Sequence, residues 1–263
     1  MAKPKFSIVT VCYNAGDKLY ETIETALKQT YDNFEIVIKD GLSKDDSLSK
    51  VPKDDRIFVY SSKDKGIYDA MNQATGKITG DYVYFLNCGD SFYNESVLSD
   101  VANYIEEHPD KGIYYGDTFK ESADSYVPMP KGLTAFTCYR NIPCHQACFY
   151  HKSLFEERGY DLEYKIRADY EHFLWCFFKK DVRPVHMGLV VANYEGGGFS
   201  ETKENQKRDR LEHKMTVNKY MKKSQLFFAK AYMILTLQPL RKVLAESKYF
   251  SKLYNGMKSL IYK

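Results

Sequence analysis

Short apolar runs alternate with segments of helical period through most of the chain. Phe6–Val11 (FSIVTV) is rich in β-branched residues, the pattern of a buried strand. Tyr13-Asn14-Ala15-Gly16 turns, and Asp17 stands where it can cap a helix whose Leu19, Ile23, Ala26 and Leu27 share one face. Phe34–Ile38 predicts a second strand ending at Asp40-Gly41, Arg56–Tyr60 a third and Tyr82–Leu86 a fourth. Between the last two, Ile67, Ala70, Met71 and Ala74 have helical spacing. Strand and helix alternating in this way predict an α/β fold: a mostly parallel sheet with helices on both faces. Functional side chains should then gather at the carboxyl edge of the sheet, where Tyr13, Asp40, Lys65 and Asp90 fall.

Farther on, Val97, Val101, Tyr104 and Ile105 predict an amphipathic helix stopped at Pro109, and Gly112–Gly116 a strand. Residues 117–142, with Pro128, Pro130 and Gly132, read as an irregular region. Ser153-Leu154-Phe155-Glu156 has the form of a capping box, in a segment ending at Gly159. Tyr170, Phe173, Leu174 and Phe177 mark the buried face of a helix with Asp169 in its first turn, and Val185–Ala192 a last strand. Asp169 there is either a cap and dipole partner or a working carboxylate. Cys144, His145, Cys148 and His151 lie close together, but their spacing matches no common structural zinc pattern and their surroundings are apolar.

Charge divides the chain. Residues 203–263 carry 15 Lys or Arg against 4 Asp or Glu, whereas the preceding 202 residues carry 23 against 31. The body is acidic and the tail basic. Leu226–Leu237 (LFFAKAYMILTL) is too short to span a bilayer, which takes about 20 apolar residues. Pro239 ends or bends that helix, and Leu240–Ala245 and Tyr249–Tyr262 interleave Lys and Arg with apolar side chains. This suits an amphipathic basic helical tail on an anionic membrane surface; the other reading is a helical hairpin packed on the body. The start, MAKPKFSIVTV, has no apolar stretch ahead of a cleavage site, and six cysteines without a disulfide spacing point to a reducing compartment. The expectation is a cytoplasmic protein, peripheral on the inner face of the plasma membrane. No G-x-G-x-x-G follows the first strand, which disfavours a dinucleotide.

The chemistry concentrates in Asp64–Asp90, DKGIYDAMNQATGKITGDYVYFLNCGD. A carboxylate just past a strand, among small neighbours, can accept a hydrated divalent cation bridging to phosphate. The stretch closely resembles the DKGIYDAMN…TGD…FLN-x-x-D signature of family 2 glycosyltransferases, inverting enzymes of GT-A fold that use nucleotide sugars. The resemblance implies a glycosyltransferase domain over 1–220, with a nucleotide-sugar half of about 1–116 and an acceptor half of about 117–220, and leaves 221–263 as the tail. It implies that Tyr13, Asp40, Lys65, Gly66, Asn72, Asn87 and Asp90 bind a UDP-sugar, Tyr13 and Asp40 on the nucleoside and Asp90 through Mg²⁺ or Mn²⁺. Without the resemblance, Asp40 is equally a turn-former before Gly41. His145 and Gln146 match an HQ-A-x-F segment near the acceptor. Asp169 matches the general base of an E-D-Y-D segment, with Glu171 the second candidate, and Glu195–Ser200 resembles a GG-x-S loop. Two positions depart from the family: Gly89 stands for one acid of the usual pair, and Ala168 for the usual Glu.

Together these features predict a single inverting displacement by an acceptor hydroxyl, on a lipid-linked or polysaccharide intermediate of a surface glycan. The rival is a catalytically lapsed protein that binds sugar nucleotides or nucleic acid. No RNA-binding signature accompanies the basic tail, so nucleic acid is not an expected partner.

Overall fold

The computed structural model describes residues 3–109, 112–140, 142–194 and 203–235. The chain falls into two compact units, Met1–Tyr220 and Met221–Lys263.

The first unit is built on one twisted sheet. Its strands are β1 (Phe6–Cys12), β2 (Phe34–Asp40), β3 (Ile57–Ser61), β4 (Tyr82–Phe85), β5 (Ser91–Phe92), β6 (Ile113–Lys120), β7 (Ser125–Val127), β8 (Cys148–His151) and β9 (Val185–Tyr194). They lie in the order β3-β2-β1-β4-β8-β6-β9-β5, with β7 paired to β6. The block β3-β2-β1-β4 is parallel. Next to it β8 runs antiparallel to both β4 and β6, and β6 pairs parallel with β9. The helices are α1 (Asp17–Leu27), α2 (Ile67–Thr75), α3 (Val97–Glu107), α4 (Ala135–Arg140), α5 (Ser153–Glu157), α6 (Ala168–Phe178) and α7 (Lys203–Tyr220), with α8 (Lys223–Leu235) in the second unit.

Every residue of β1 and β2 is buried, as expected of strands covered on both faces. Phe6, Ile8, Ile36, Ile38, Tyr84 and Leu86 share one core with Leu19 and Ile23 of α1 and with Leu98 and Val101 of α3. Across the sheet, α2 packs on β1 and β2 and buries Ala70, Met71 and Ala74. The strand alternation therefore assigns α1 and α3 to one face and α2 to the other. At the amino edge, buried Glu35 accepts from Ser7 Oγ (2.6 Å), Thr79 Oγ1 (2.6 Å) and Lys5 Nζ (3.2 Å) and ties β1, β2 and the turn before β4 together.

Most of the predicted elements are present, with four local differences. Residues 117–142 are not irregular throughout: β6 runs on to Lys120, pairs with β7, and α4 follows. Tyr126 stacks edge-on against Phe119 across that hairpin, a contact that only a three-dimensional pairing supplies. Asp17 is the first helical residue rather than the cap; it bridges Lys50 at 2.8 Å. Ser153 likewise opens α5, and its hydroxyl turns back to His151 Nδ1 at 2.8 Å, so no capping box forms. The short strands β5 and β8 carried no pattern long enough to read. Pro239, Leu240–Ala245, Tyr249–Tyr262 and the Glu195–Ser200 loop lie outside the described residues. Among the described residues no helix is long and apolar enough to cross a membrane.

Candidate active site

Three loops leave the carboxyl edge of the parallel block and are sewn to one another. After β1, Asn14 takes a left-handed turn, and its side-chain oxygen accepts from the Lys44 N–H at 2.9 Å. The Gly16 N–H donates to Asp45 (3.0 Å) and to Ser47 Oγ (2.8 Å). Tyr13 projects from this loop with 65% of its surface exposed, an open aromatic ring suited to stacking.

Asp40, at the end of β2, is only 1% exposed and turns its carboxylate onto its own loop. It accepts from the backbone N–H groups of Leu42 and Ser43 at 3.0–3.2 Å. Burial pushes its carboxyl pKa up, but the Ser43 hydroxyl and N–H, the Ser61 hydroxyl and the Leu42 N–H outweigh that and hold it below the usual carboxylate value. In this structure Asp40 shapes the loop beneath Tyr13, and its oxygens are already engaged by protein donors. Gly41 keeps this corner open: a methyl group would lie 2.9 Å from a side-chain oxygen of Asp64 and 3.3 Å from the Tyr13 ring, so one of them would have to move. Beneath it Lys39, fully buried, donates to the carbonyls of Asp40 (2.8 Å) and Ser62 (2.7 Å) and to Asp64 Oδ2 (3.0 Å). This fastening of the second loop to the third was not read from the sequence. A buried Lys fully served by acceptors gives no hydropathy signal beyond one charge at the end of an apolar run.

The third loop starts α2. Gly66 sits at φ 120°, in the region that favours glycine, and Lys65 is exposed beside it. Two residues later Tyr68 reaches the second half of the domain. Its hydroxyl proton is shared between the Ile166 carbonyl (2.7 Å) and Asp169 Oδ1 (3.0 Å). Asn72 departs from its expected role. Its amide donates to the Tyr160 carbonyl (2.9 Å) and accepts from the Tyr160 N–H (2.7 Å), so it clamps backbone rather than facing a donor.

The residues after β4 meet the other candidates. Gln146 Nε2 donates to Asp90 Oδ2 at 3.2 Å, which puts Gln146 beside Asp90. Asn87 Nδ2 lies 2.9 Å from His145 Nε2, and His145 Nδ1 lies 3.6 Å from Asp169 Oδ2. With the Asn87 amide donating, the imidazole proton is on Nδ1 and faces the carboxylate. Both ring nitrogens therefore address protein groups, Nε2 toward Asn87 and Nδ1 toward Asp169. Asp169 keeps 22% of its side chain exposed, enough for a substrate to touch. Burial raises its pKa, yet the neighbouring His145 imidazole, the Tyr170 N–H and the Tyr68 hydroxyl prevail and lower it below the ordinary value. It is an ionised acceptor at neutral pH. Glu171 is excluded as its substitute: its side chain is wholly buried and engaged by Arg158, Tyr220 and Lys219 Nζ, the last at 2.8 Å.

Cys144, His145, Cys148 and His151 do not converge. The Cys148 thiol donates to the Cys144 carbonyl and His151 pairs with Ser153. Among the described residues no three His, Cys, Asp or Glu side chains gather to hold a metal. Asp90 nevertheless suits a hard cation that takes its remaining ligands from a diphosphate and water. The nearby Asn87 side-chain oxygen is buried without a hydrogen-bond partner, so a further hard oxygen lies in the same turn.

A parallel block with its loops gathered at the carboxyl edge, extended through the antiparallel β8 to β6 and β9, is a GT-A-type fold. The mannosyltransferase of Pyrobaculum calidifontis, solved with GDP-Man and Mn²⁺, superposes with a TM-score of 0.68 at 15% identity, over 99% of this chain and 86% of that one. The profile of the family described as Glycosyl transferase family 2 matches residues 7–181, and the chain belongs to that family of glycosyltransferases. A PGL/p-HBAD biosynthesis glycosyltransferase of Mycobacterium tuberculosis is 36% identical over 209 residues, 77% of this chain and 81% of that protein. An Escherichia coli UDP-Glc:alpha-D-GlcNAc-diphosphoundecaprenol beta-1,3-glucosyltransferase is 36% identical over 104 residues, 38% of this chain and 41% of that protein.

Replacing His145 by Gln removes one of the contacts that lower the Asp169 pKa. Asp169 must be ionised to accept a proton, so a higher pKa delays activity on raising the pH. The acid limb of the pH–rate profile should move to higher pH. A limb that stays in place shows that His145 does not govern the carboxylate.

Proposed function

We propose that this chain is an inverting transferase that moves a sugar from a UDP-sugar to a hydroxyl of a lipid-linked or polysaccharide acceptor. The observation that carries the reading is Asp169: a lowered-pKa carboxylate, partly open, held by Tyr68 and His145 and joined through Asn87 to the turn that bears Asp90. A hydroxyl approaching Asp169 gives up its proton as its oxygen attacks the anomeric carbon from the face opposite the nucleotide. One displacement inverts the centre, so no second carboxylate nucleophile is required. Tyr13 stacks on the base, the Asp40 loop meets the nucleoside, and Lys65 with the Gly66 turn meets the phosphates. Asp90 would hold Mg²⁺ or Mn²⁺, which when bound neutralises charge on the departing diphosphate.

UDP is favoured as the donor nucleotide because the E. coli relative, named for UDP-Glc, is closer in sequence than the archaeal neighbour solved with GDP-Man. The same relative's name includes a diphosphoundecaprenol acceptor, which supports an acceptor at a membrane. Placement of this chain on the inner face of a membrane rests on the basic balance from residue 203 onward and on the exposed Phe227, Phe228, Ile234 and Leu235 of α8.

Replacing Asp169 by Asn should leave UDP binding intact and lower sugar transfer about 10²–10⁴-fold, the usual worth of a general base. Transfer at the parental rate would reduce Asp169 to a helix-terminal acid.

Asp90→Ala should abolish the gain in UDP affinity that Mn²⁺ confers and leave uridine affinity unchanged; calorimetry with and without Mn²⁺ measures both. Equal UDP affinity in all four conditions would mean that Asp90 holds no metal.

The full chain should sediment with vesicles containing an anionic phospholipid at low salt and be released as salt is raised. Each surface Lys or Arg contributes about 1 kcal/mol, screened over about 10 Å at 0.1 M salt. Indifference to such vesicles at low salt removes the membrane placement.

A further inference from the structure

The segment that presents Asp169 is held from outside the part of the chain that the family profile matches. Residues 165–167 run into α6, whose first residue is Ala168, and Arg167 at the cap position makes no side-chain capping bond. Helix α7, beyond the matched residues 7–181, supplies an acceptor for the segment that leads into α6. Glu212, 2% exposed, takes the Lys165 N–H on Oε1 and the Ile166 and Arg167 N–H groups on Oε2, each at 2.9 Å. One turn earlier Asp209 takes Arg167 in a two-point grip, Nε at 2.6 Å and the terminal nitrogen at 3.0 Å. Arg208 Nε lies 2.7 Å from Glu212 Oε1 and serves the outer side of the same carboxylate.

Three successive N–H groups on one buried carboxylate make a rigid anion nest in reverse: the loop wraps the charge, and the charge fixes the loop. Bonds to an ionised acceptor are about twice as strong as neutral ones, so the arrangement resists displacement. From the other side the Ile166 carbonyl receives the Tyr68 hydroxyl, which also touches Asp169. Ile166 is thus bonded at its nitrogen to α7 and at its oxygen to α2, three residues before the carboxylate. Removing Glu212 would orphan three donors in one place and free the start of α6 to shift.

We propose that Glu212, assisted by Asp209, is a positioning residue that sets the location of Asp169 at the reaction centre. It acts through the backbone of residues 165–167 and touches no substrate. The proposal rests on the role given above to Asp169 and adds α7 to the machinery. Sequence alone gave Glu212 no part, since it is one acid among many bases in a polar stretch.

The test uses the full chain carrying Glu212→Gln, alone and in the Asp169→Asn background, with hydrolysis of UDP-glucose and UDP-N-acetylglucosamine as the rate and hydrogen exchange as the independent readout. The amides of residues 165–167 should exchange about 10-fold faster or more, because local opening becomes easier. Hydrolysis should fall about 10–100-fold with Asp169 present, with UDP affinity unchanged, since small misplacements of a reacting group cost that much. In the Asp169→Asn background the same substitution should change the rate less than about 2-fold, the non-additivity of groups acting through one another. Equal losses in both backgrounds, or unaltered exchange, would overturn the proposal and leave Glu212 as a staple for α7. Should Glu212→Gln fail to fold, Asp209→Asn, which weakens only the Arg167 grip, must show the same background dependence or the proposal falls. A parental chain that binds UDP but hydrolyses neither donor sinks the transferase reading, and the exchange result still decides whether Glu212 anchors the loop.

Discussion

A general base must be ionised, accessible and held still, and burial works against the first of these. Asp169, the base proposed above, meets the three demands through its neighbours. The Tyr68 hydroxyl and the His145 imidazole offset the desolvation that would otherwise raise its pKa, and they do so from two different directions. Tyr68 comes from α2 and His145 from the turn before β8, so this surrounding of Asp169 exists only when both parts of the domain are folded together. Without either the hydroxyl or the imidazole, the carboxylate would drift toward its neutral form at the pH where it is needed.

The same rule governs the buried charges at the two ends of the sheet. Glu35 at the amino edge and Lys39 at the carboxyl edge lie toward opposite ends of β2, and each finds its full set of partners. A buried charge stripped of one partner costs several kcal/mol, about 3–5 by experience with buried pairs, so these groups fix which loops may lie side by side. Lys39 in particular brings the Asp64 loop under Gly41, and the α2 start that follows then aims Tyr68 at the base. Donor loop and base are linked by the path from Lys39 through Asp64 to Tyr68.

Legibility in the sequence followed the range of the interactions. Strands β1 to β4 and helices α1, α2, α3 and α6 were visible because hydrophobic period is a local property, and so was the gathering of Tyr13, Lys65 and Asp90 at one edge. Motif resemblance selected Asp169, and the structure shows its neighbours, Tyr68 and His145. What escaped was long-range. Tyr68 lies inside the quoted motif, yet its partner stands 101 residues away. Glu212 meets backbone groups 45 to 47 residues earlier, and nothing in its surroundings marks it among Lys, Arg and His. His145 and Asn72 were assigned to ligands by motif position. Their partners, Asp169 and the Tyr160 backbone, could be known only from the folded chain. Short elements such as β5, β7 and β8 are made strands by their neighbours, not by their own composition.

The two departures from the family pattern bear on whether the machinery has lapsed, and their surroundings explain both in structural terms. Gly89 sits at φ 95°, where an Asp would be strained, and its N–H donates to Thr22 Oγ1 at 3.0 Å. That turn is built for glycine, and Thr22 also holds the Asp90 carbonyl at 2.9 Å, so the tight bend serves to deliver Asp90. Ala168 is completely buried at the start of α6, and a glutamate in its place would bring a second charge into the core beside Asp169. Its absence leaves one carboxylate with a single environment, whereas two close acids would raise the pKa of one of them. Neither change removes a contact of Asp169, and the network through Tyr68, His145 and the α6 entry remains complete. A partly open carboxylate kept ionised by three separate donors is what the transferase reading proposed above requires.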